Sequence, residues 1–553
     1  MNRLRHSEIT SLVVLLLLAC SNHLAAQNAV PNRSEKERAC QALVDTPNLT
    51  ITSARLQEAA GSTPAYCYVR GSITPAIQYH VQLPLPENWN GRFLQWGDGG
   101  KDGDLDFANL RLAQGYAVAN SNMGHDNGSE PGGSFGFNNR QAEIDFGYRA
   151  VHLTVNSGKT LVEAYYGKQP SHSYFEGCSQ GGREALMEAQ RFPYDFDGIV
   201  GGAPVNYYQA MNASQVKMLQ RFFRDRFAAN LAFDTNGDGV PESLSKLTML
   251  KDAVLAKCDA NNGLDGIKDG VIDDPLSCKF DPAMDLAGKM CPGNVNGENC
   301  FTTLQIQTIK EMYEGGRDSK GVLVHKGYAL GSEPGWAVQF IPHAGNSLSP
   351  AQMDDHLNYL FYETDPGVPV PDLSKVSTPP NKKKKPPEWA WWEFNIDDVT
   401  AGKGNFMMEI TDAKDPDLSP FLVQNNGKLI LYHGWGDPQV PPEPTVDYYK
   451  QVLATAFKGN AKAAQDRVRL FMVPAMGHCR GGPGPETWDK LAPLVDWVEN
   501  GKAPDFLVAT HSANGAVDNE RKLCPFPQRA VYTGPAGGEN NRANWVQGNF
   551  TCR

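Results

Sequence analysis

A chain of 553 residues is too long for one small core; it fits one large α/β domain with a substantial insertion, or two to three domains. Hydrophobic residues at 41% and charged residues at 20% are ordinary for a globular protein. With 51 basic against 62 acidic side chains, the net charge of −11 gives no electrostatic case for nucleic acid or an anionic membrane as partner.

The first residues read as a leader for export. "MNRLRH" is a basic flank, "SLVVLLLLAC" an apolar stretch too short to span a bilayer, and "HLAAQ" a small-residue exit, so cleavage after Ala26 is expected. The alternative is a lipoprotein box ending at Cys20, which would then carry a lipid anchor; Leu18 is a less usual residue for that box. No later segment is long and apolar enough to cross a membrane. Of the 11 cysteines one lies in this leader, and the even number left suits disulfides in an oxidising compartment.

Residues 27–75 are polar and turn-rich, expected as an exposed N-terminal segment. Then apolar runs alternate with helical patterns. "IQYHVQLPLP", "GRFLQWG" and "GYAVANSNMG" read as strands, and "DFGYRAVHLTVNSGKTLVEAYYG" as a long helix. "SYFEG" is a buried strand, "GREALMEAQRFP" a helix and "FDGIVGGAP" another strand. This alternation predicts a parallel sheet wrapped by helices. It stops near residue 206, where acidic Gly-rich loops and Pro-rich stretches begin; Lys382 to Lys385, between proline pairs, read as a solvated loop. It resumes with "GKLILYHGWGD", the helix "VDYYKQVLATAF" and the strand "VRLFMVP". The expected organisation is a leader over 1–26, an α/β core over 27–205 and 406–553, and an inserted lid over 206–405.

Gly177-Cys-Ser179-Gln-Gly181 fits the G-x-S-x-G nucleophile elbow, with an apolar strand before it and an amphipathic helix after. A serine nucleophile needs a base, and the base an orienting carboxylate. Asp437 and His478 each stand just after a later strand, and the order Ser179, Asp437, His478 is that of α/β-hydrolases. Cys178 precedes the serine and Cys479 follows the histidine. If serine and imidazole meet, the neighbouring backbones approach disulfide distance. A Cys178–Cys479 bridge over about 300 residues would contribute roughly 5–6 kcal/mol in the chain-entropy model. The alternative, a nucleophilic Cys178, would put the thiol on the wrong side of the elbow.

The combination of Cys-Ser, Asp and His-Cys resembles the tannase and feruloyl esterase family, as do "PENWNGRFLQWGDGG" and "GYAVANSNMGHD"; the likeness runs from about residue 40 to the C-terminus. The resemblance implies an α/β-hydrolase core with a large inserted lid, a structural Ca²⁺ and hydrolysis of esters of aromatic acids such as ferulate or gallate. It also implies, with proximity in sequence, the pairings Cys40–Cys67, Cys258–Cys278, Cys291–Cys300 and Cys524–Cys552. For the oxyanion hole, Gln180 would supply one N–H and Gly100, or Gly99, the other; Asp98 and Lys101 depart from the family's more purely glycine loop.

"CDANNGLDGIKDGVIDDPLSC" crowds carboxylates and glycine turns into one short loop, a chemistry suited to Ca²⁺. The family pattern maps onto Asp265, Ile267, Asp269 and Val271, with Asp259 or Asn262 as first ligand. Asp234, Asn236 and Asp238 match the start of an EF-hand loop, but Ser245 stands where its closing Glu is needed. Aromatics of the insertion, Trp336, Trp389, Trp391, Trp392 and Phe394, would stack on the acyl ring or fill the lid's own core.

The expected enzyme is a secreted or periplasmic carboxylic-ester hydrolase acting on a small aromatic ester through an acyl-enzyme. A second reading is an esterase for a half-ester such as mono(2-hydroxyethyl) terephthalate; it would need a lid cation for the free carboxylate, and no lid Arg or Lys identifies itself. A third is a non-catalytic calcium-binding protein on the same scaffold, disfavoured by three intact triad positions.

Overall fold

The computed structural model describes residues 33–223, 228–259, 263–344, 355–366 and 391–553. The leader with Cys20, Asn262, the run Lys382 to Lys385 and Trp389 lie outside the described residues, as does the side chain of Trp392.

The centre is a sheet whose strands alternate their side chains between two cores. In chain order they are β1 (Thr50–Gln57), β2 (Tyr66–Ile73), β3 (Ile77–Pro84), β4 (Arg92–Trp96), β5 (Ala117–Ser121), β6 (His172–Cys178) and β7 (Gly198–Gly202). The small pair β8 (Gly316–Arg317) and β9 (Leu323–His325) lies in the insertion, and β10 (Lys428–Gly434) and β11 (Val468–Val473) complete the sheet. The strand order is β1-β2-β3-β5-β4-β6-β7-β10-β11, antiparallel from β1 to β5 and parallel from β5 onward.

Phe93, Phe175, Ile199, Leu431 and Leu470 face one core. Their neighbours Leu94, Tyr174, Val200, Ile430 and Phe471 face the other. Both faces are covered, so β10 and β11 are buried along their whole length, as their near-continuous apolar sequences require.

Two expectations are corrected. Residues 50–73 are not a loose exposed segment: β1 and β2 extend the sheet, because Tyr66 and Tyr68 enter one core while Cys67 and Val69 enter the other. The long helix runs over Ala150–Tyr166 only, since Asp145–Arg149 forms a wider π turn ahead of it. Beyond the sheet, β12 (Leu507–Ala513) pairs with β13 (Ala516–Leu523), and β14 (Ala530–Tyr532) with β15 (Phe550–Cys552). The mixed polar sequence of β13, AVDNERKL, carries little strand signal.

Between the end of β7 and the start of β10 the chain builds a second hydrophobic core, in which Leu250, Ile309, Trp336, Phe340, Phe361 and Trp391 are fully buried. This insertion leaves β7 at the C-terminal edge of the parallel strands, the edge where open α/β sheets carry their sites, and the chain then crosses back to enter β10 at the opposite edge.

The helix Gln180–Arg191 packs unusually close to the sheet. A Cβ on Gly182 would lie 2.1 Å from the Gly202 carbonyl oxygen, backbone against backbone. Gly182→Ala is therefore expected to cost about 3 kcal/mol of stability, read as a lower denaturation midpoint; an unchanged midpoint would refute this packing argument.

Candidate active site

Ser179 stands where β6 turns into the helix Gln180–Arg191, with φ 65° and ψ −117°. A non-glycine residue there is strained by about 1–3 kcal/mol and persists only when its surroundings hold it. They do: Ser179 N donates to Gly202 O at 2.9 Å, Arg183 N to Ser179 O at 3.0 Å, and Gly181 N to Asp98 O at 2.7 Å. Gly177 and Gly181 permit the turn, since a Cβ on Gly177 would meet Gly181 O at 2.7 Å. Arg183, fully buried, clamps the start of the helix. It donates to Gln180 Oε1 at 2.9 Å and to the carbonyls of Phe146, Gly147 and Thr411 at 2.7–3.2 Å.

The two later loops meet this turn. His478 follows β11, and its Nε2 lies 2.8 Å from Ser179 Oγ while its Nδ1 lies 2.8 Å from Asp437 Oδ2. A carboxylate only accepts, so Nδ1 carries the proton and Nε2 is free to accept from the hydroxyl. Asp437, after β10, is fully buried; its Oδ1 accepts from Gln439 N at 2.8 Å and Val440 N at 2.9 Å. His433 Nε2 stands 3.3 Å from Asp437 Oδ2. Burial would push the Asp437 carboxyl up, but the charge of His478 and the contacts from His433 and His478 outweigh it and hold the group well below the usual range. Burial likewise opposes charge on His478, and Asp437 more than compensates, leaving the imidazole above its ordinary value.

Cys178 and Cys479 form a disulfide with Cα atoms 6.1 Å apart across 301 residues. The thiol beside the serine is thus spent on joining the serine turn to the histidine turn. The remaining pairs are those expected: Cys40–Cys67, Cys258–Cys278, Cys291–Cys300 and Cys524–Cys552.

A cavity of about 1370 Å³ opens over Ser179 and His478. Its floor is the loop after β4, with Gly99 and Gly100 beside Gln180, and a Cβ at either glycine would meet nothing within 4 Å. Asp98, unlike a glycine, needs somewhere to put its side chain. It turns its carboxyl onto Asn120, its amide donates to Glu184 Oε2 at 3.2 Å, and burial beside Asp102 and Glu184 pushes that carboxyl well above the usual range. Lys101 reaches across to ion-pair with buried Asp355 of the insertion.

The wall from the insertion and its lead-in presents Tyr208, Met211, Asn212, Gln215 and Gln339; the core wall presents Trp96, Phe107, Tyr432 and Trp488. The expected stacking aromatics are not among these. Trp336, Trp391 and Phe394 fill the insertion's own core, because large apolar rings bury more surface there than at a wet wall. Arg183, His433 and Asp355 were missed in the sequence: Arg183 and His433 lie inside quoted motifs, while Asp355 carried no local signal.

The acidic loop forms a second cluster. A Cβ on Gly263 would sit 3.0 Å from Asp265 Oδ1, 3.4 Å from Asp259 Oδ1 and 3.4 Å from the Ile267 carbonyl oxygen, so three oxygens converge beside it. Asp259 Oδ1 is buried without a hydrogen-bond partner among the described residues. Fully buried Arg521 approaches Asp265, Asp269 and Asp273 at 3.0, 2.6 and 2.9 Å. Burial, and then the charge of Asp273, push the Asp265 carboxyl up to about 10. Val271 N donates to Asp269 Oδ1 at 3.0 Å. At the EF-hand-like loop, by contrast, the Asp234 carboxylate accepts from Gly237 N and Gly239 N at 2.6 and 2.7 Å.

A profile of the tannase and feruloyl esterase family matches residues 62–545. The chain is 32% identical to mono(2-hydroxyethyl) terephthalate hydrolase of Piscinibacter sakaiensis over 88% of this chain and 85% of that protein. It is 28% identical to feruloyl esterase B of Aspergillus niger over 87% and 86%. Among solved structures, feruloyl esterase B of Aspergillus oryzae superposes with a TM-score of 0.74 at 23% identity, covering 94% of this chain and 100% of that one. With the profile spanning most of its length, this chain belongs to the tannase and feruloyl esterase family of α/β-hydrolase-fold carboxylic-ester hydrolases.

Proposed function

We propose that the protein hydrolyses esters of aromatic, phenolic acids such as feruloyl or galloyl esters by two-step acyl transfer. The observation that carries this is the chain Ser179 Oγ, His478, Asp437, with both links at 2.8 Å under a large aromatic-walled cavity. His478 Nε2 takes the hydroxyl proton as Ser179 attacks the ester carbonyl. The same nitrogen then returns the proton to the leaving alcohol, and water repeats the sequence to free the acid. Asp437 stabilises the imidazolium formed at each step and fixes its tautomer, while the amides of Gln180 and Gly100 receive the oxyanion. The insertion acts as a lid that covers the ester. An exported location is supported by the leader-like N-terminal sequence and by five disulfides.

The acidic loop fits a structural Ca²⁺. Asp265, Asp269 and Asp273 bring three carboxylates against one guanidinium, and oxygens of Asp259, Asp265 and Ile267 converge beside Gly263. Side chains of Asp259, Asp265 and Asp269 and the carbonyls of Ile267 and Val271 would hold the ion. Bound there, it would neutralise and brace the loop, with no part in the proton transfers. No such reading is made for the Asp234 loop.

Ser179→Ala is expected to lower kcat on methyl ferulate and methyl gallate by about 10³-fold or more, with the protein folded as before. Wild-type protein that cleaves only simple short-chain aryl esters would keep the triad and overturn the substrate class. The pH profile has a defined sign: catalysis needs neutral His478, whose pKa lies above the ordinary 6.5, so kcat/KM should fall as pH drops through a value above 6.5. Asp437→Asn removes the raising charge, so the residual activity should show that limb displaced to lower pH. Chelation should lower the thermal midpoint by several degrees, restored by added Ca²⁺, and Asp259→Ala should abolish the response; an identical midpoint with and without chelator would refute the ion.

A further inference from the structure

Four cations line the cavity among the described residues: Lys101, Arg111, Arg480 and Lys490. Two are committed. Lys101 is paired with Asp355, and Arg111 is bidentate on Glu176 at 2.8 and 2.9 Å while also meeting Asp489 at 3.0 Å. Arg480 is exposed to solvent, where its charge is screened. Lys490 differs from all three. It is half-buried against two rings, with Nζ 4.3 Å from the centre of Trp488 and 5.5 Å from that of Tyr432.

No carboxylate of the described residues lies within ion-pairing distance of Lys490 Nζ. Three acids act on its charge from farther off: Glu176, engaged by Arg111; Asp489, engaged by Arg111 and by the amides of Leu491 and Ala492 at 3.0 and 3.2 Å; and Glu486, which accepts from Thr487 Oγ1 at 2.9 Å. Among the described residues the opposite wall offers Tyr208, Met211, Asn212, Gln215 and Gln339, and no cation.

A partly desolvated ammonium facing a cavity, with aromatic faces beneath it and no carboxylate of the described residues in ion-pair contact with it, is suited to a carboxylate on the substrate. Building on the esterase reading above, we propose that Lys490 is a specificity-determining residue that binds a free carboxylate carried by the ester, remote from the scissile bond. On this reading the cation for a half-ester carboxylate comes from the histidine-side wall of the core. The aromatic face of Trp488 beneath Lys490 would pack against the part of the substrate that carries the carboxylate. The cavity, larger than the roughly 300–1,000 Å³ usual for small-molecule sites, leaves room for both ends of such an ester.

The carboxylate could belong to the acyl group or to the alcohol, and two matched pairs separate these. Mono(2-hydroxyethyl) terephthalate against 2-hydroxyethyl benzoate tests the acyl side. A caffeoyl ester of quinic acid against methyl caffeate tests the alcohol side. Steady-state kinetics on the full chain, in wild type, Lys490→Gln and Lys490→Arg, give the ratio of kcat/KM for charged over neutral ester in each pair. In Lys490→Gln that ratio should fall about tenfold in the pair whose carboxylate reaches the site. The loss should sit in KM and not in kcat, because the contact is the same in ground and transition states. Lys490→Arg should retain most of the ratio. Ratios unchanged within twofold in both pairs would overturn the assignment, as would a wild type that cleaves the neutral esters and neither carboxylated one. A wild type inactive on all four esters would instead overturn the aromatic-acid substrate class on which this inference rests, and the inference with it.

Discussion

The structure depends on one strained turn. Ser179 is held at a positive φ because backbone on three sides leaves it no alternative: the Gly202 carbonyl, the Asp98 carbonyl through Gly181, and the first turn of its own helix. The glycines around it exist to let those backbones meet, most tightly where Gly182 faces Gly202. The histidine turn carries a second unfavourable residue, Cys479 at φ 63°, directly beside His478. The Cys178–Cys479 bond joins these two strained turns, so neither can relax without moving the other. For catalysis the consequence is positional. Serine and imidazole come from β6 and β11, three places apart in the sheet order with β7 and β10 between them, and a covalent tie keeps their 2.8 Å contact when the loops around them fluctuate.

Buried charge is arranged around that turn with the same economy. Arg183 hydrogen-bonds to no carboxylate among the described residues; three backbone carbonyls and Gln180 satisfy it. Two of those carbonyls, Phe146 and Gly147, belong to the π turn that shortens the expected long helix, where the wider winding leaves carbonyls free to accept. The departure from a simple helix therefore has a use: it furnishes the socket for the arginine that orients Gln180, whose amide is one of the proposed oxyanion donors.

Much of this was legible in the sequence, and the reason is local encoding. Ser179, Asp437 and His478 each sit in a turn that follows an apolar strand, so strand assignment and chemistry reinforced each other. The two cysteines flanking Ser179 and His478 allowed a three-dimensional contact to be read from a one-dimensional coincidence. What could not be read depends on partners distant in the chain. Asp355 acquires its role only by meeting Lys101, and Arg521 only by entering an acidic loop some 250 residues earlier. Residues 50–73 looked loose because alternating Tyr and Cys among polar residues give a weak strand pattern, whereas the sheet edge they join supplies the burial. For Trp336 and Trp391 the sequence left open stacking on the acyl ring or filling the lid's own core, because composition cannot say which of two apolar environments a ring will fill; the structure places both in that core.

The division of labour between the two walls follows from how each is anchored. Core-wall groups sit on loops tied to the parallel strands and, at Cys479, to the nucleophile turn itself, so their distance from Ser179 is fixed. Groups on the opposite wall owe their position to the separate core built around Trp336 and Trp391, joined to the oxyanion loop by the Lys101–Asp355 pair. A charged anchor gains most where its distance to the reacting carbonyl is fixed, because electrostatic attraction misplaced by a single ångström no longer positions the ester. Apolar and amide contacts tolerate small displacement. It is therefore physically consistent that Lys490, without an ion-pair partner among the described residues, lies on the core wall, while Met211, Gln215 and Gln339 line the other side.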